Sequence, residues 1–492
     1  MAGVVRPAEQ TPKRIALNAP AFPKSKFTMK STCFNRSRRT LILALLSCVA
    51  LFGFLPGARA ELSFVLTNSR PAAMPRRPSI ILIVADGLGY GDLSCYGQTK
   101  FQTPNLDRLA AGGIRFTGYH AGDAVSSPSR AALMLGNDSG HLKQRADVDV
   151  PLTADDTTVA QALKQSGYHT GLIGEWDLGG DGTTGAPWSK GFDEFAGYFD
   201  PADAENFYAE YVWRYDPVTP LHGKVVVYAN AGDKNGQYIP DLFTTMAVNF
   251  IGNNQPDQFN HYRPFFLLVN YTIPGAGNGR VPTDAPFSEE PWPQLEKNKA
   301  AMITRLDASI GQLLEQLKKL NLESNTVIFF TSDTGPQTNG GVDPRFFQSA
   351  GPFRGGCGNL YEGGLRVPMI VHWPGKIPAG QVSDFACAAW DFLPTATDIA
   401  LIKSPMNIDG ISLLPTLFNQ IQTNRQESFY WKLQSRDAAQ AVRMGDWKVI
   451  RSKADAPPEL YNLKIDPGET NNVADQHPDV ITKIQGILKN NR

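Results

Sequence analysis

Cysteine, histidine and net charge contribute little to this chain. Five cysteines and seven histidines are spread over 492 residues, and two of the cysteines, Cys33 and Cys48, fall in an N-terminal stretch that reads as a leader. The sparse, odd remainder of Cys95, Cys357 and Cys387 excludes a disulfide-built scaffold. No Cys/His spacing matches a zinc finger. Lysine plus arginine equals aspartate plus glutamate at 47 each, so no net field points to nucleic acid. Internal repeats and low-complexity tracts are absent too.

What is present is a globular composition. Hydrophobic residues make up 42% and charged residues 19% of the chain, enough to bury a large core. The 36 prolines and 45 glycines supply many connections. The length suits two or three domains, or one large domain with an appendage.

The N-terminus reads as processing rather than fold. Lys30, Arg36, Arg38 and Arg39 precede the apolar run Leu41 to Leu55, and Ala58-Arg59-Ala60 supplies small residues at cleavage spacing. Residues 1–60 are expected to be an export signal cut before Glu61, and 61–77 a flexible linker. The protein is then exported, periplasmic or secreted, with no stable membrane span after cleavage. Met29 offers a more ordinary start than Met1, and an uncleaved anchor is the competing reading of the same run.

Beyond the linker, apolar runs alternate with amphipathic segments. Ile80 to Val84 reads as a buried parallel strand that delivers Asp86 at its C-terminal end. Thr326 to Phe330 does the same for Asp333, and Pro264 to Asn270 and Val367 to Val371 are further strands. Leu295 to Leu320 carries apolar residues at three-and-four spacing, as a cover helix does. Strand, helix, strand order predicts a parallel sheet, whose ligands sit at the carboxyl ends of the strands. After residue 400, short strand-like pieces and a polar helix near Val480 to Leu488 suggest a small antiparallel sheet plus helix.

One stretch, AVSSPSRAALMLG at 124–136, organises the site. Ser126 is a nucleophile-sized hydroxyl, Pro128 fixes the backbone, and Arg130 is a planar cation suited to an anion. An ordinary serine turn capping a helix is the alternative reading.

With these words stand ILIVADGLGYGDLSCYG at 81–97, TPNLDRLAAGGIRFT at 103–117, GLIGEWDLG at 171–179, VIFFTSDTGP at 327–336, RGGCGNLYEGGLRVPMIVHWPG at 354–375 and AVRMGDWKVI at 441–450. Together they resemble the sulfatases of the alkaline phosphatase superfamily, over essentially everything after the leader. The resemblance implies an α/β fold: an alkaline phosphatase-like, mostly parallel sheet sandwiched by helices over 78–400, with a smaller C-terminal α+β subdomain over 401–492. It also implies that Ser126, matured to formylglycine, attacks sulfur, that Arg130 supports it, and that Ca2+ sits on Asp86, Ser126 and Asp333.

The same words depart from the family pattern where the chemistry lies. Asp86 is followed by Gly87 where a second carboxylate is usual, and Asp333 by Thr334 where an asparagine is usual. Glu175 and Asp177 replace a lysine and a histidine. Gly275 stands where a histidine donates a proton, Cys357 where a second lysine grips sulfate, and Leu135 where a maturase expects threonine.

A carboxylate in place of a cation costs on the order of several kcal/mol at a partly buried anion site. The expectation is therefore a sulfatase-family protein impaired in sulfate ester hydrolysis. Two alternatives accompany it: an active serine-type arylsulfatase on aryl sulfates or sulfated polysaccharides, and a non-catalytic module that binds glycans or partner proteins. Arg130 is read either as an anion binder or as a salt bridge to Asp86 or a backbone carbonyl. Glu175 and Asp177 are read as additions to a new cation site with Asp86 and Asp333. Cys357 is read as a buried small residue, and His120, His141 and His372 as structural or exposed. The expected partner is a sulfated small molecule or glycan, and the oligomeric state has no sequence signature.

Overall fold

A computed structural model describes residues 77–143, 150–219, 221–256, 262–275, 279–337, 341–433, 439–453 and 455–490. The expected signal over 1–60, and all but the last residue of the linker, lie outside these residues. Among the described residues, no helix is long and apolar enough to cross a membrane.

In chain order the strands are β1 (Ser79–Asp86), β2 (Ile114–Phe116), β3 (Tyr119–His120), β4 (His169–Glu175), β5 (Glu194–Tyr198), β6 (Tyr211–Asp216), β7 (Leu221–Val226), β8 (Phe265–Pro274), β9 (Thr326–Ser332), β10 (Met369–His372), β11 (Gln381–Ser383) and β12 (Cys387–Ala388). Four more follow: β13 (Phe429–Lys432), β14 (Gln440–Met444), β15 (Trp447–Arg451) and β16 (Glu459–Asn462). Ten of these form one sheet in the order β11-β2-β10-β9-β1-β8-β4-β5-β6-β7.

Its centre is parallel: β1 pairs with β8 and β9, and β4 with β8 and β5. These strands are buried on both faces, which is why they read as unbroken apolar runs. Alternation along β1 sends Ile80, Leu82 and Val84 to one face and Ile81 and Ile83 to the other. The first face packs against helices Ser126–Leu135, Val159–Gln165 and Phe392–Ile399. The second packs against helices Pro104–Ala111, Ile239–Asn253 and Gln294–Lys319. Each fully buried leucine, isoleucine or phenylalanine contributes about 1.5–3 kcal/mol to this arrangement.

The flanks differ from a purely parallel expectation. Strand β10 runs antiparallel to β9 and β2. At the other edge β6 and β7 extend the sheet antiparallel to β5 and to each other. Strands β3 and β12 form a separate two-stranded pair.

The four C-terminal strands make an antiparallel sheet in the order β13-β14-β15-β16. Helix Pro478–Asn490 contributes Ile484 to the apolar cluster on one side of it. Trp431, Ile450 and Tyr461 join the core of the large sheet. A buried ionic cluster adds to this join. Lys448 Nζ lies 2.9 Å from Glu362 and 3.0 Å from Glu469, and Glu362 also pairs with Arg366 and, at 3.2 Å, with His120.

Burial pushes the His120 imidazole down to about 4, against the pull of Glu362. An unfolded histidine titrates near ~6.5, so between these values the unfolded chain takes up a proton that the folded chain refuses. The stabilisation is present above the unfolded value and is lost as pH falls toward the folded one. Denaturant midpoints are expected to show wild type losing up to about 3 kcal/mol relative to His120→Gln between pH ~7 and ~4. A pH-independent difference would contradict a neutral buried imidazole.

Candidate functional site

The strand ends and one helix start build the site. Parallel pairing of β1 and β9 aligns Ala85 with Ser332, so Asp86 and Asp333 leave the sheet side by side. The Asp333 amide donates to the Ala85 carbonyl at 3.0 Å, and the Gly87 amide donates to Asp333 Oδ1 at 3.0 Å. Helix Ser126–Leu135 points its N-terminus at this edge. Its N-cap is Val125, in extended conformation and with no side-chain cap. Ser126 is therefore the first helical residue, and the reading of it as the helix cap is corrected. The next residues fasten the helix: Ser127 Oγ donates to the Asp177 carbonyl at 3.0 Å, and Ser129 Oγ donates to the Asp333 carbonyl at 2.5 Å. The half-buried Ser126 side chain thus sits where the helix dipole is positive.

Arg130, one turn on, is buried and enclosed by carboxylates. Its two terminal nitrogens reach Glu175 Oε1 at 2.7 Å and Oε2 at 2.9 Å, and the second also reaches Asp333 Oδ2 at 3.1 Å. Side-chain exposure is 3% for Arg130, 3% for Glu175 and 1% for Asp333, so solvent screens little of this attraction. The expected partners, Asp86 or a backbone carbonyl, are replaced by Glu175 and Asp333. Asn270, which sequence reading passed over, donates from Nδ2 to the Glu175 carbonyl at 2.8 Å and holds that residue in place.

Asp86 is the third carboxylate here. Burial, with Asp333 and Glu175 adding to it, pushes its acid well above the usual carboxylate range. The new cation site expected from Glu175, Asp177, Asp86 and Asp333 does not form. Among the described residues, the three that bring ligand atoms within 4.8 Å of one another are Asp138, His141 and Asp409, away from the strand ends.

Two of the departures from the sequence pattern, Gly87 and Gly275, have a steric counterpart. A Cβ on Gly87, whose φ is +61°, would lie 2.5 Å from Gln337 Cγ. Gln337 fills the space a second carboxylate would need, and its Nε2 faces Asp86 Oδ1 at 3.5 Å. A Cβ on Gly275 would lie 2.4 Å from the Thr272 carbonyl oxygen and 3.1 Å from Asp86 Oδ2, leaving no room for an imidazole on this backbone. Thr334 turns its hydroxyl to the Gly335 carbonyl at 3.2 Å. Cys357 lies with Sγ 3.5 Å from the Ala124 carbonyl, and burial pushes its thiol up to about 12, so it is no nucleophile at neutral pH.

Comparison with known proteins fixes the lineage. The family profile described as Sulfatase matches residues 78–402, and that described as N-sulphoglucosamine sulphohydrolase, C-terminal, matches 358–492. The chain belongs to the sulfatase family. It is 31% identical to human arylsulfatase A over 87% of this chain and 90% of that protein. It is 29% identical to the N-acetylgalactosamine-6-O-sulfatase of Bacteroides thetaiotaomicron over 84% of this chain and 93% of that protein. The crystal structure of Ps i-CgsB in complex with k-i-k-neocarrahexaose superposes with a TM-score of 0.72 and 28% identity, covering 85% of this chain and 93% of that one. The alkaline phosphatase-like sulfatase fold is thereby established, with its mostly parallel sheet and small C-terminal sheet.

The Ca2+ and formylglycine that the family implies can be tested against this sulfatase-family site. Calcium takes about six to eight oxygens. Here both Asp333 oxygens already accept, one from the Gly87 amide and one from Arg130. Gly87 offers no carboxylate, Thr334 points elsewhere, and Asp86 faces an amide nitrogen. The Arg130 guanidinium stands against Asp333, and Gln337, whose amide also carries an oxygen, presents its nitrogen to Asp86. The residues do not fit the ion, and no step of chemistry is assigned to it.

Proposed function

We propose that this protein is a sulfatase-family member that no longer hydrolyses sulfate esters and that binds a sulfated glycan as a partner. The observation that carries the first half is the closure of Arg130 on Glu175 and Asp333. In a working site an arginine beside the nucleophile must be available to the reacting group. Here Nη2 donates to both Glu175 and Asp333 and Nη1 lies against Glu175 Oε1, while among the described residues Nε and Nη1 complete no hydrogen bond, so the charge of the guanidinium is offset by two buried carboxylates. Even with Asp86 protonated, two negative charges surround one positive, so an anionic sulfate ester meets repulsion where it needs a cation. With no residue in the place of the proton donor, the leaving alcohol would depart unassisted.

The second half is supported by kinship. The similar structure with 28% identity is a complex with a carrahexaose, and two of the most similar curated relatives bear sulfatase names, one of them for an N-acetylgalactosamine sulfate. Such a partner would be held outside the acidic strand-end cleft.

The mass of the proteolytic peptide containing residue 126 tests the reading directly. Protein made in a host with a formylglycine-generating system is expected to carry unmodified Ser126, because Leu135 interrupts the maturation word. A peptide lighter by the hydrogens lost on oxidation to the aldehyde would contradict it.

A further inference from the structure

The antiparallel run at the sheet edge presents a row of rings that hydrolysis does not use. Alternation along β6 places Trp213 and Tyr215 on one face, and the register sets Lys224 opposite Trp213 and His222 opposite Tyr215. Trp188 stacks on Tyr215 with ring centroids 4.8 Å apart and meets His222 edge-on at 4.7 Å. Phe199 lies against Trp213 at 4.8 Å. The four rings are only partly buried, and His222 and Lys224 are exposed.

The main chain ties the segment that carries Phe199 to the candidate site. The Asp177 amide donates to the Phe199 carbonyl at 3.0 Å, and Asp177 in turn accepts the hydroxyl of Ser127. Lys224 lies over the same row, 3.8 Å from the Tyr211 ring centroid and 5.8 Å from that of Trp213, so one positive charge flanks the rings.

We propose that this face is a saccharide-stacking subsite, in which a sugar ring of a sulfated glycan lies on Trp213 and Tyr215 with a sulfate group near Lys224. The inference rests on the glycan reading above and gives it a place. An apolar ring face beside the exposed Lys224, which has Asp203 near it through Tyr211, complements a pyranose, which has an apolar C–H face and, when sulfated, an anionic edge. The patch of four rings is small for a protein partner, since specific interfaces bury on the order of 1,000 Å2 or more.

The test is calorimetric titration of the full exported chain with a carrageenan-derived sulfated hexasaccharide and, separately, a chondroitin sulfate hexasaccharide. Wild type, Trp213→Leu and the surface variant Lys224→Gln are compared, with thermal midpoints confirming folding. Binding of one probe is expected, about tenfold weaker in Trp213→Leu and several-fold weaker in Lys224→Gln, with a blunted salt dependence in the latter. Binding left unchanged by both variants overturns the subsite and leaves the glycan reading intact. Binding of neither probe overturns both. If Trp213→Leu fails to fold, Lys224→Gln alone decides, and self-association lost in that variant would assign the face to a second copy instead.

Discussion

Replacing Arg130 with alanine is expected to cost about 3–5 kcal/mol of folding stability, one of the largest single-residue effects in the molecule. The substitution leaves Glu175 and Asp333, both nearly inaccessible to water, facing each other beside the half-buried Asp86. Uncompensated charge in such a place carries its desolvation penalty without the attraction that offset it. Glu175→Ala should cost less, because Asp333 still holds the guanidinium. A double variant, Arg130→Met with Glu175→Leu, should recover only part of the loss, since it removes one of the two carboxylates that Arg130 offsets and keeps volume but leaves Asp333 buried without its partner. Urea titrations of the three variants measure this. The decisive comparison adds Ca2+ to Arg130→Ala. A site still shaped for the ion would be rescued by it, whereas a site whose second carboxylate position is filled by Gln337 would not.

How much of this was legible in the sequence follows from where each interaction lies along the chain. The central strands were readable because burial on both faces makes Ile80 to Val84 and Thr326 to Phe330 continuous apolar runs. The C-terminal sheet was readable from its short strands, although β16 was missed. The aromatic hairpin was passed over even though Tyr211, Trp213 and Tyr215 alternate at a period of two. At the site, the sign change at Glu175 was plain, but its partner was not. Glu175 and Arg130 are joined only when β4 and the start of helix Ser126–Leu135 meet at the sheet edge. Gln337 left no signal at all, since its role depends on the chain folding back over the missing Cβ of Gly87.

The second large effect concerns rate. A general acid contributes roughly a hundred- to ten-thousand-fold, and each preorganised cation or donor at developing charge roughly a hundred- to a thousandfold. On the reading proposed above, the acid's position is Gly275, one lysine position is Glu175 and the other is Cys357. Taken together, the expected losses are on the order of a million-fold or more before any contribution from a metal is counted. Adding back a single residue should not restore turnover. Glu175→Lys would set a second cation against Arg130 in a buried place and destabilise the fold before it helped catalysis.

The proposed loss of hydrolysis depends on a strand-end cleft whose arginine is held between two buried carboxylates. The measurement that tests it most directly is release of 4-nitrophenol from 4-nitrophenyl sulfate by the wild-type protein, with and without Ca2+, alongside Ser126→Ala. The account predicts that the three traces coincide at the level of the uncatalysed reaction. Release that Ca2+ stimulates and Ser126→Ala abolishes would contradict it.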